Sequence, residues 1–363
     1  MSDVARQGSA LANWGWDEGW LASLSGAESA TKATVVGRVT GQDRDRWTVQ
    51  TESGPAMGRI TSRAYPGPFP VTGDWVTVQP GPAPSDPVSI SAVLPRRSAI
   101  ARGVAGGGKV EQVLAANVDL VWIVHGLDRS PNLRRIERYL AVAWESGAIP
   151  EIILTKADLA SDVANVLSEL ASVAVGIRID VVSIAQPDTI LALRGRLAPG
   201  VTVALLGPSG TGKSTLINAL ADASMAATGA VRESDRKGRH TTTRRELFQI
   251  PGGALLIDTP GLRELRVRAL DEGIPQTFPE IEDLAAACRY RDCRHEVEPG
   301  CAVLQAVAAG DLDAGRLASF RKLRAEAAYV ERKSDPRANA AAVAKHKTAL
   351  KTLKYHQKYR GDT

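Results

Sequence analysis

The stretch Gly207-Pro208-Ser209-Gly210-Thr211-Gly212-Lys213-Ser214 constrains the fold more than any other part of the chain. It reads G-x-x-x-x-G-K-[ST], a phosphate loop. Such a loop needs a strand before it and a helix after it. The apolar run Val201–Leu206 supplies the first, and Leu216, Ile217 and Leu220 fall on one face of the second. Glycines let backbone N–H groups turn inward around phosphate oxygens, and the helix N-terminus adds positive potential. Lys213 would reach the β- and γ-phosphates, and the Ser214 hydroxyl would ligate Mg²⁺. We take Gly207, Pro208, Ser209, Gly210, Thr211, Gly212, Lys213, Ser214 and Thr215 as the phosphate-contacting candidates.

A chain of 363 residues has room for two or three domains with separate cores. No apolar run approaches the roughly 18 residues of a membrane span, and Met1–Gln7 carries no basic-then-apolar signal pattern. We expect a cytoplasmic protein without a membrane partner, and a monomer. The net charge of +5 is unevenly placed. Arg316–Thr363 holds 13 Lys/Arg against 4 Asp/Glu, so the excess of base is a property of the tail. A basic tail is a solvated helix face or a footprint for a polyanion.

Residues 1–32 form an arm in which Trp14, Trp16 and Trp20 show no period and could pack onto a later domain. Residues 33–97 read as all-β. Thr34–Val39, Arg46–Gln50, Gly73–Val78 and Ser89–Leu94 are short, β-branched segments separated by Gly, Pro, Asp and Ser. That pattern predicts a small closed barrel of the OB-fold kind. Arg38, Arg44, Arg46, Arg59 and Arg63 are candidates for a nucleic-acid face. Arg96–Gly108 reads as a linker.

From about residue 110 strands alternate with helices, which predicts a parallel sheet covered on both faces. Leu120–Val124 is a strand. Leu133, Ile136, Leu140 and Trp144 then mark a helix, with Arg134, Arg135, Glu137 and Arg138 on its other faces. Thr155-Lys156-Ala157-Asp158 follows the next strand and matches the guanine-reading pattern Asn-Lys-x-Asp, with Thr155 in place of Asn. Asp158 would accept two N–H bonds from the guanine edge, which adenine cannot supply. Lys156 would lay its stem over the purine, and Ser183 ends a later strand as a second base contact. Asp258-Thr259-Pro260-Gly261 closes the run Ala254–Ile257. Asp258 belongs on the Mg²⁺ side, and Gly261 would offer its N–H to the γ-phosphate. The following Leu262 cannot polarise water. Between the two motifs, Thr242 (or Thr241) could complete the Mg²⁺ shell. His240, whose ordinary pKa lies near 7, is the catalytic candidate for positioning water.

The motif order is permuted: the base-reading segment comes first, then the phosphate loop, then the two switch segments. The last leads into Cys288-x₄-Cys293-x-His295-x₅-Cys301, which holds all three cysteines of the chain. Three thiolates and an imidazole make a closed, structural Zn²⁺ site. Beyond it lie a helix and a Lys-rich stripe with Tyr355 and Tyr359, which could stack on bases.

These motifs, with Val93–Arg96, Glu111–Asp119 and Gly238–Thr243, resemble the ribosome small subunit-dependent GTPase A family of circularly permuted GTPases. The resemblance covers about residues 33–333. It implies an OB-fold barrel (33–97), a circularly permuted α/β phosphate-loop GTPase domain (98–269) and an α-helical zinc-binding domain (270–333), followed by a basic tail (334–363). It also implies GTP hydrolysis to GDP, stimulated by the small ribosomal subunit during its late maturation, with rRNA as partner and His240 assisting catalysis. Two other readings are an RNA-binding protein with a nucleotide that is not turned over, and an ATPase or small-molecule kinase, against which Asp158 argues.

Overall fold

The computed structural model describes residues 10–25, 35–61, 65, 67–83, 86–103, 111–227, 245–258, 270 and 272–334. Two compact units result. One comprises Met1–Ala101 with Val113–Leu265, the other Arg102–Gln112 with Arg266–Thr363.

In the first unit a short 3-10 turn and helix α1 (Glu18–Ser25) precede strands β1 (Val35–Asp43), β2 (Arg46–Thr51), β3 (Gly54–Arg59), β4 (Trp75–Gln79) and β5 (Val88–Val93). These five pair in the order β1-β2-β3-β5-β4, and β4 returns to β1, which closes the expected barrel. In β2 every second residue is buried. That period puts Trp47 and Val49 inside with Val39, Val76, Val78, Val88 and Ile90.

Strands β6 (Ala99–Gly103) and β7 (Glu111–Ala116) form a separate two-stranded sheet. The segment expected to be a linker therefore contains a strand, with Ile100 buried. Residues 104–110, which include its glycine run, lie outside the described residues.

The nucleotide half then runs β8 (Leu120–Gly126), α2 (Leu133–Glu145), β9 (Ile149–Thr155), α3 (Val163–Ala171), β10 (Arg178–Val181), α4 (Pro187–Gly195), β11 (Thr202–Leu206), α5 (Lys213–Ala227), β12 (Arg245–Gln249) and β13 (Leu255–Asp258). Its strands lie in the order β10-β9-β8-β11-β13-β12. All neighbours are parallel except β12 with β13. Strands β8, β9 and β11 are mostly apolar and buried along nearly their whole length, as a helix-covered parallel sheet requires. Leu216, Ile217 and Leu220 of α5 enter this core with Trp122, Val203, Leu205 and Leu256. Trp122 donates its Nε1–H to Glu151 (2.7 Å), which Arg196 clasps with both terminal nitrogens. The buried carboxylate is thereby paired, as burial demands.

The two halves of this unit share one sheet, because β1 pairs antiparallel with β12 (Gly41 opposite Glu246, Gln42 opposite Arg245). The arm ties them further, since the Gln249 side chain at the end of β12 donates to the Asn13 carbonyl (3.1 Å). Leu11, Trp16 and Trp20 pack with Val36, Trp75 and Leu94. Trp16 meets Trp75 edge-on at 4.7 Å, and the Arg97 guanidinium lies 4.1 Å over Trp20.

Two side chains sit where sequence reasoning did not put them. Arg38, a candidate for a nucleic-acid face, is only 2% exposed. It donates to the carbonyls of Trp14 and Asn117 and to Thr202 Oγ1 (2.8 Å). Burial lowers its pKa to about 10, so it stays charged at neutral pH. Arg44, Arg46 and Arg59 are exposed, and Arg63 lies outside the described residues. Glu137, expected on a polar face of α2, is fully buried and paired with Arg134 at 2.8 Å.

The second unit holds α6 (Gly273–Thr277), α7 (Pro279–Ala285), α8 (Ala302–Ala309) and α9 (Ala314–Ser334). Phe278 and Phe320 form its apolar centre, edge to face at 5.5 Å. Arg316 lies over the Phe278 ring and pairs with Glu280. Among the described residues, no helix is long and apolar enough to cross a membrane.

Candidate functional site

Strand β11 runs straight into the phosphate loop, and α5 begins at Lys213. Gly207 has φ +147°, and a Cβ there would meet the Val124 carbonyl oxygen at 2.4 Å. Gly212 has φ +88°, with the Thr155 hydroxyl 3.3 Å from where a Cβ would stand. Both positions need glycine. Lys213 Nζ donates to the carbonyls of Gly207 (2.7 Å) and Pro208 (2.6 Å), which draws the ammonium across the loop. The Thr211 hydroxyl donates to the Pro208 carbonyl (3.0 Å). Ser214 and Thr215, in the first turn of α5, are exposed.

The Thr155–Asp158 segment leaves β9 beside this loop. Thr155 is buried, and its hydroxyl donates to the Thr211 carbonyl at 2.6 Å. A longer contact of 3.3 Å runs to the His125 carbonyl. The Thr155 hydroxyl thus helps to join the Thr155–Asp158 segment to the phosphate loop. Replacing Thr155 with valine keeps the shape and leaves the buried Thr211 carbonyl without this donor, at a cost of about 1–2 kcal/mol. We expect nucleotide affinity to fall about tenfold in a fluorescent-nucleotide titration. Unchanged affinity would show the hydroxyl to be idle.

Lys156 adopts φ +58°, in the left-handed region. Its ammonium donates to the Gly210 carbonyl and to Asp128 Oδ2, each at 2.8 Å. Asp158 is exposed at the same edge and accepts a hydrogen bond from the Ser183 hydroxyl on Oδ1. Ser183 is itself buried, and its hydroxyl also takes the Ala185 N–H at 3.1 Å. The contact ties one carboxylate oxygen to Ser183 on an otherwise exposed side chain. On the far side of β11, Asp258 ends β13 and is exposed. Thr155, Lys156, Asp158, the phosphate loop and Asp258 therefore share the carboxyl edge of the parallel sheet, where such sheets bind ligands. His240, Thr241, Thr242, Gly261 and Leu262 lie outside the described residues.

Asp128 was not anticipated. It follows β8 directly, and its neighbours Lys156 and Arg129 hold its carboxyl below the usual carboxylate range. A charged residue just past a strand at the ligand-binding edge was the available signal. His125 lies nearby. Its ring Nε2 is 3.1 Å from the Arg129 carbonyl, and burial depresses its pKa.

In the second unit the ligand atoms of Cys288, Cys293, His295 and Cys301 all lie within 4.8 Å of one another. His295 Nδ1 is 3.6 Å from Cys288 Sγ and 3.4 Å from Cys301 Sγ. Burial and the nearby Arg324 depress the His295 pKa, which favours the neutral, ligating imidazole. Between His295 and Cys301 the Glu298 carboxylate gathers the N–H groups of Arg294, Glu296 and Val297 (2.8–3.0 Å). Those bonds pull its pKa down to about 2 and shape the loop. The four residues could hold one metal ion.

Strand neighbours of an ordinary phosphate-loop GTPase, reached with the base-reading strand ahead of the phosphate loop, define a circularly permuted GTPase behind an N-terminal barrel. A family profile described as RsgA GTPase matches residues 93–268. The Small ribosomal subunit biogenesis GTPase RsgA of Opitutus terrae is 44% identical over 339 residues, which cover 90% of this chain and 92% of that protein. The protein of the same description from Streptomyces coelicolor is 42% identical over 337 residues, covering 92% and 90%. The crystal structure of YjeQ from Thermotoga maritima superposes with a TM-score of 0.60 at 25% identity, over 80% of this chain and 97% of that one. YloQ, described as a circularly permuted GTPase, shares the fold at a TM-score of 0.58 and 23% identity, over 81% and 94%. The chain belongs to the RsgA GTPase family.

Proposed function

We propose that this protein hydrolyses GTP to GDP and phosphate in late maturation of the small ribosomal subunit, with the subunit stimulating turnover. The observation that carries the nucleotide reading is the joint placement of Asp158, held by Ser183, and of Thr155, bonded to the phosphate loop. Asp158 accepts the guanine N–H groups. Lys156 lies along the base. The N–H groups of Gly207–Thr215 and the Lys213 ammonium take the phosphates. Ser214 and Thr242 would hold Mg²⁺, with Asp258 behind them, and that ion supplies charge neutralisation at the β- and γ-oxygens. Gly261 donates to the γ-phosphate. His240 orients the water that attacks it, because Leu262 has no polar group for the task.

The subunit partner is supported by the names of the relatives, which call them small ribosomal subunit biogenesis GTPases. In this reading rRNA is bound through the barrel, including exposed Arg44, Arg46 and Arg59, and through the zinc-binding segment and basic tail. The working segments are the arm (1–32), barrel (33–97), GTPase domain (98–269), zinc domain (270–333) and tail (334–363), in a cytoplasmic monomer. Zinc is the metal favoured by the donor set. Zn–S bonds of about 2.3 Å and Zn–N bonds of about 2.0 Å in a tetrahedron require S···S near 3.8 Å and S···N near 3.5 Å. Cys288 and Cys301 are 3.8 Å apart, and both lie 3.4–3.6 Å from the imidazole nitrogen.

The test is GTP turnover with and without purified small subunits. We expect a rise of about two orders of magnitude or more, the scale on which a partner completes a phosphoryl-transfer site. Tight GTP binding without stimulation would remove the subunit from the reading. If ATP displaces GTP, the assignment of Asp158 is wrong.

A further inference from the structure

Lys156 is a flexible side chain asked to lie flat beneath a base. Its backbone, at φ +58°, turns the stem back toward the end of β8. Gly126 leaves room for the carboxylate that meets it: a Cβ there would stand 2.6 Å from Asp128 Oδ1, whereas Lys156 Cδ and Cε, at 3.4 and 3.5 Å, run past at ordinary contact distance. The ammonium ends between two acceptors, the Gly210 carbonyl and Asp128 Oδ2, each at 2.8 Å.

Asp128 is itself held in place. The Leu127 N–H donates to the Thr155 carbonyl (2.9 Å), which ties this loop to the base segment. His125 reaches from the buried side to the Arg129 carbonyl (3.1 Å). The cations facing the carboxylate are Lys156 and Arg129, whose NH2 is 3.4 Å away. A carboxylate beside an anion-binding loop opposes phosphate binding by its charge. Here that charge is turned onto a lysine that needs to be held.

We propose that Asp128 is a positioning residue for guanine nucleotide, acting by fixing the Lys156 ammonium so that the lysine stem is pre-set along the base. The inference rests on the reading of Thr155–Asp158 as the base site. The side chains of Asp128 and Lys156 are 26% and 29% exposed, and exposed pairs of this kind contribute little to folding. Loss of Asp128 therefore leaves the ammonium with the Gly210 carbonyl as its one acceptor of the two and loosens the lysine without unfolding the protein. Each nucleotide then has to order that side chain as it binds.

The experiment measures the affinity of the full chain for a fluorescent GDP, and the KM and kcat of GTP turnover, in wild type, D128A, D128E, K156A and the double variant D128A/K156A. Thermal unfolding serves as the folding control. We expect D128A to weaken GDP binding and raise KM about tenfold, with kcat held, since ground and transition states share the base contacts. D128E should recover most of the loss. The double variant should bind no more weakly than K156A, because Asp128 acts only through Lys156. If D128A binds GDP like wild type, or if its effect adds fully to that of K156A, the inference falls and the base site stands. If wild type shows no preference for GDP over ADP, the base-site reading itself fails.

Discussion

Lys213→Ala is expected to lower GTP turnover by about 10³-fold, the loss that follows removal of one preorganised charge from a reacting centre. The structure explains why so much rests on one side chain. The ammonium is held across the phosphate loop by the Gly207 and Pro208 carbonyls, 2.7 and 2.6 Å away. The backbone on either side is fixed by glycines in positions that other residues cannot take. The charge thus needs little rearrangement to meet a β- or γ-oxygen. Lys213→Arg should rescue poorly, because a planar fork is longer and cannot replace a compact point charge. The check is single-turnover hydrolysis with small subunits present, alongside GDP affinity. Turnover within about tenfold of wild type would remove Lys213 from the reacting centre.

Loss of metal is the second large effect. Stripping the ion with a chelator, or replacing Cys301 with serine, is expected to unfold the α6–α9 unit. Structural zinc contributes on the order of 10 kcal/mol in small modules. The apolar centre of this unit, Phe278 against Phe320 with Ile281, Val303 and Leu317, is small. Cys301 is doubly placed, since its sulfur also caps α8 by accepting the Leu304 N–H at 3.4 Å. Metal content by mass spectrometry and helicity by circular dichroism should fall together. GDP affinity should stay, because the residues proposed to contact the base and the phosphates lie in the other unit. Helicity retained after the metal is gone would show the cluster to be dispensable for folding.

Both of these sites were legible in the sequence for the same reason. A phosphate cradle and a tetrahedral ligand set each demand fixed residue types at short, fixed spacings, and those spacings survive in one dimension. The barrel was legible from the period of its strands. The features that escaped depend on convergence of distant segments. Arg38 looked like one more surface arginine. It is buried because acceptors 24, 79 and 164 residues away meet around it. Asp128 gains its meaning only from Lys156, 28 residues on. Glu137 fits a polar stripe until Arg134 covers it. The three arm tryptophans have no period because two of them, Trp16 and Trp20, insert into a gap beside Trp75 that only the folded barrel creates.

Strand β12 carries a consequence for dissection of the molecule. One of its edges belongs to β13 and the other, at Glu246 and Arg245, to β1 of the barrel. A fragment that begins after the barrel would expose that second edge, with Leu247 and Ile250 beside it as apolar neighbours. Open strand edges recruit strands from other molecules. The barrel is therefore also the sheet's end-stop, and a nucleotide-binding fragment made without it would meet copies of itself before it met a ribosome.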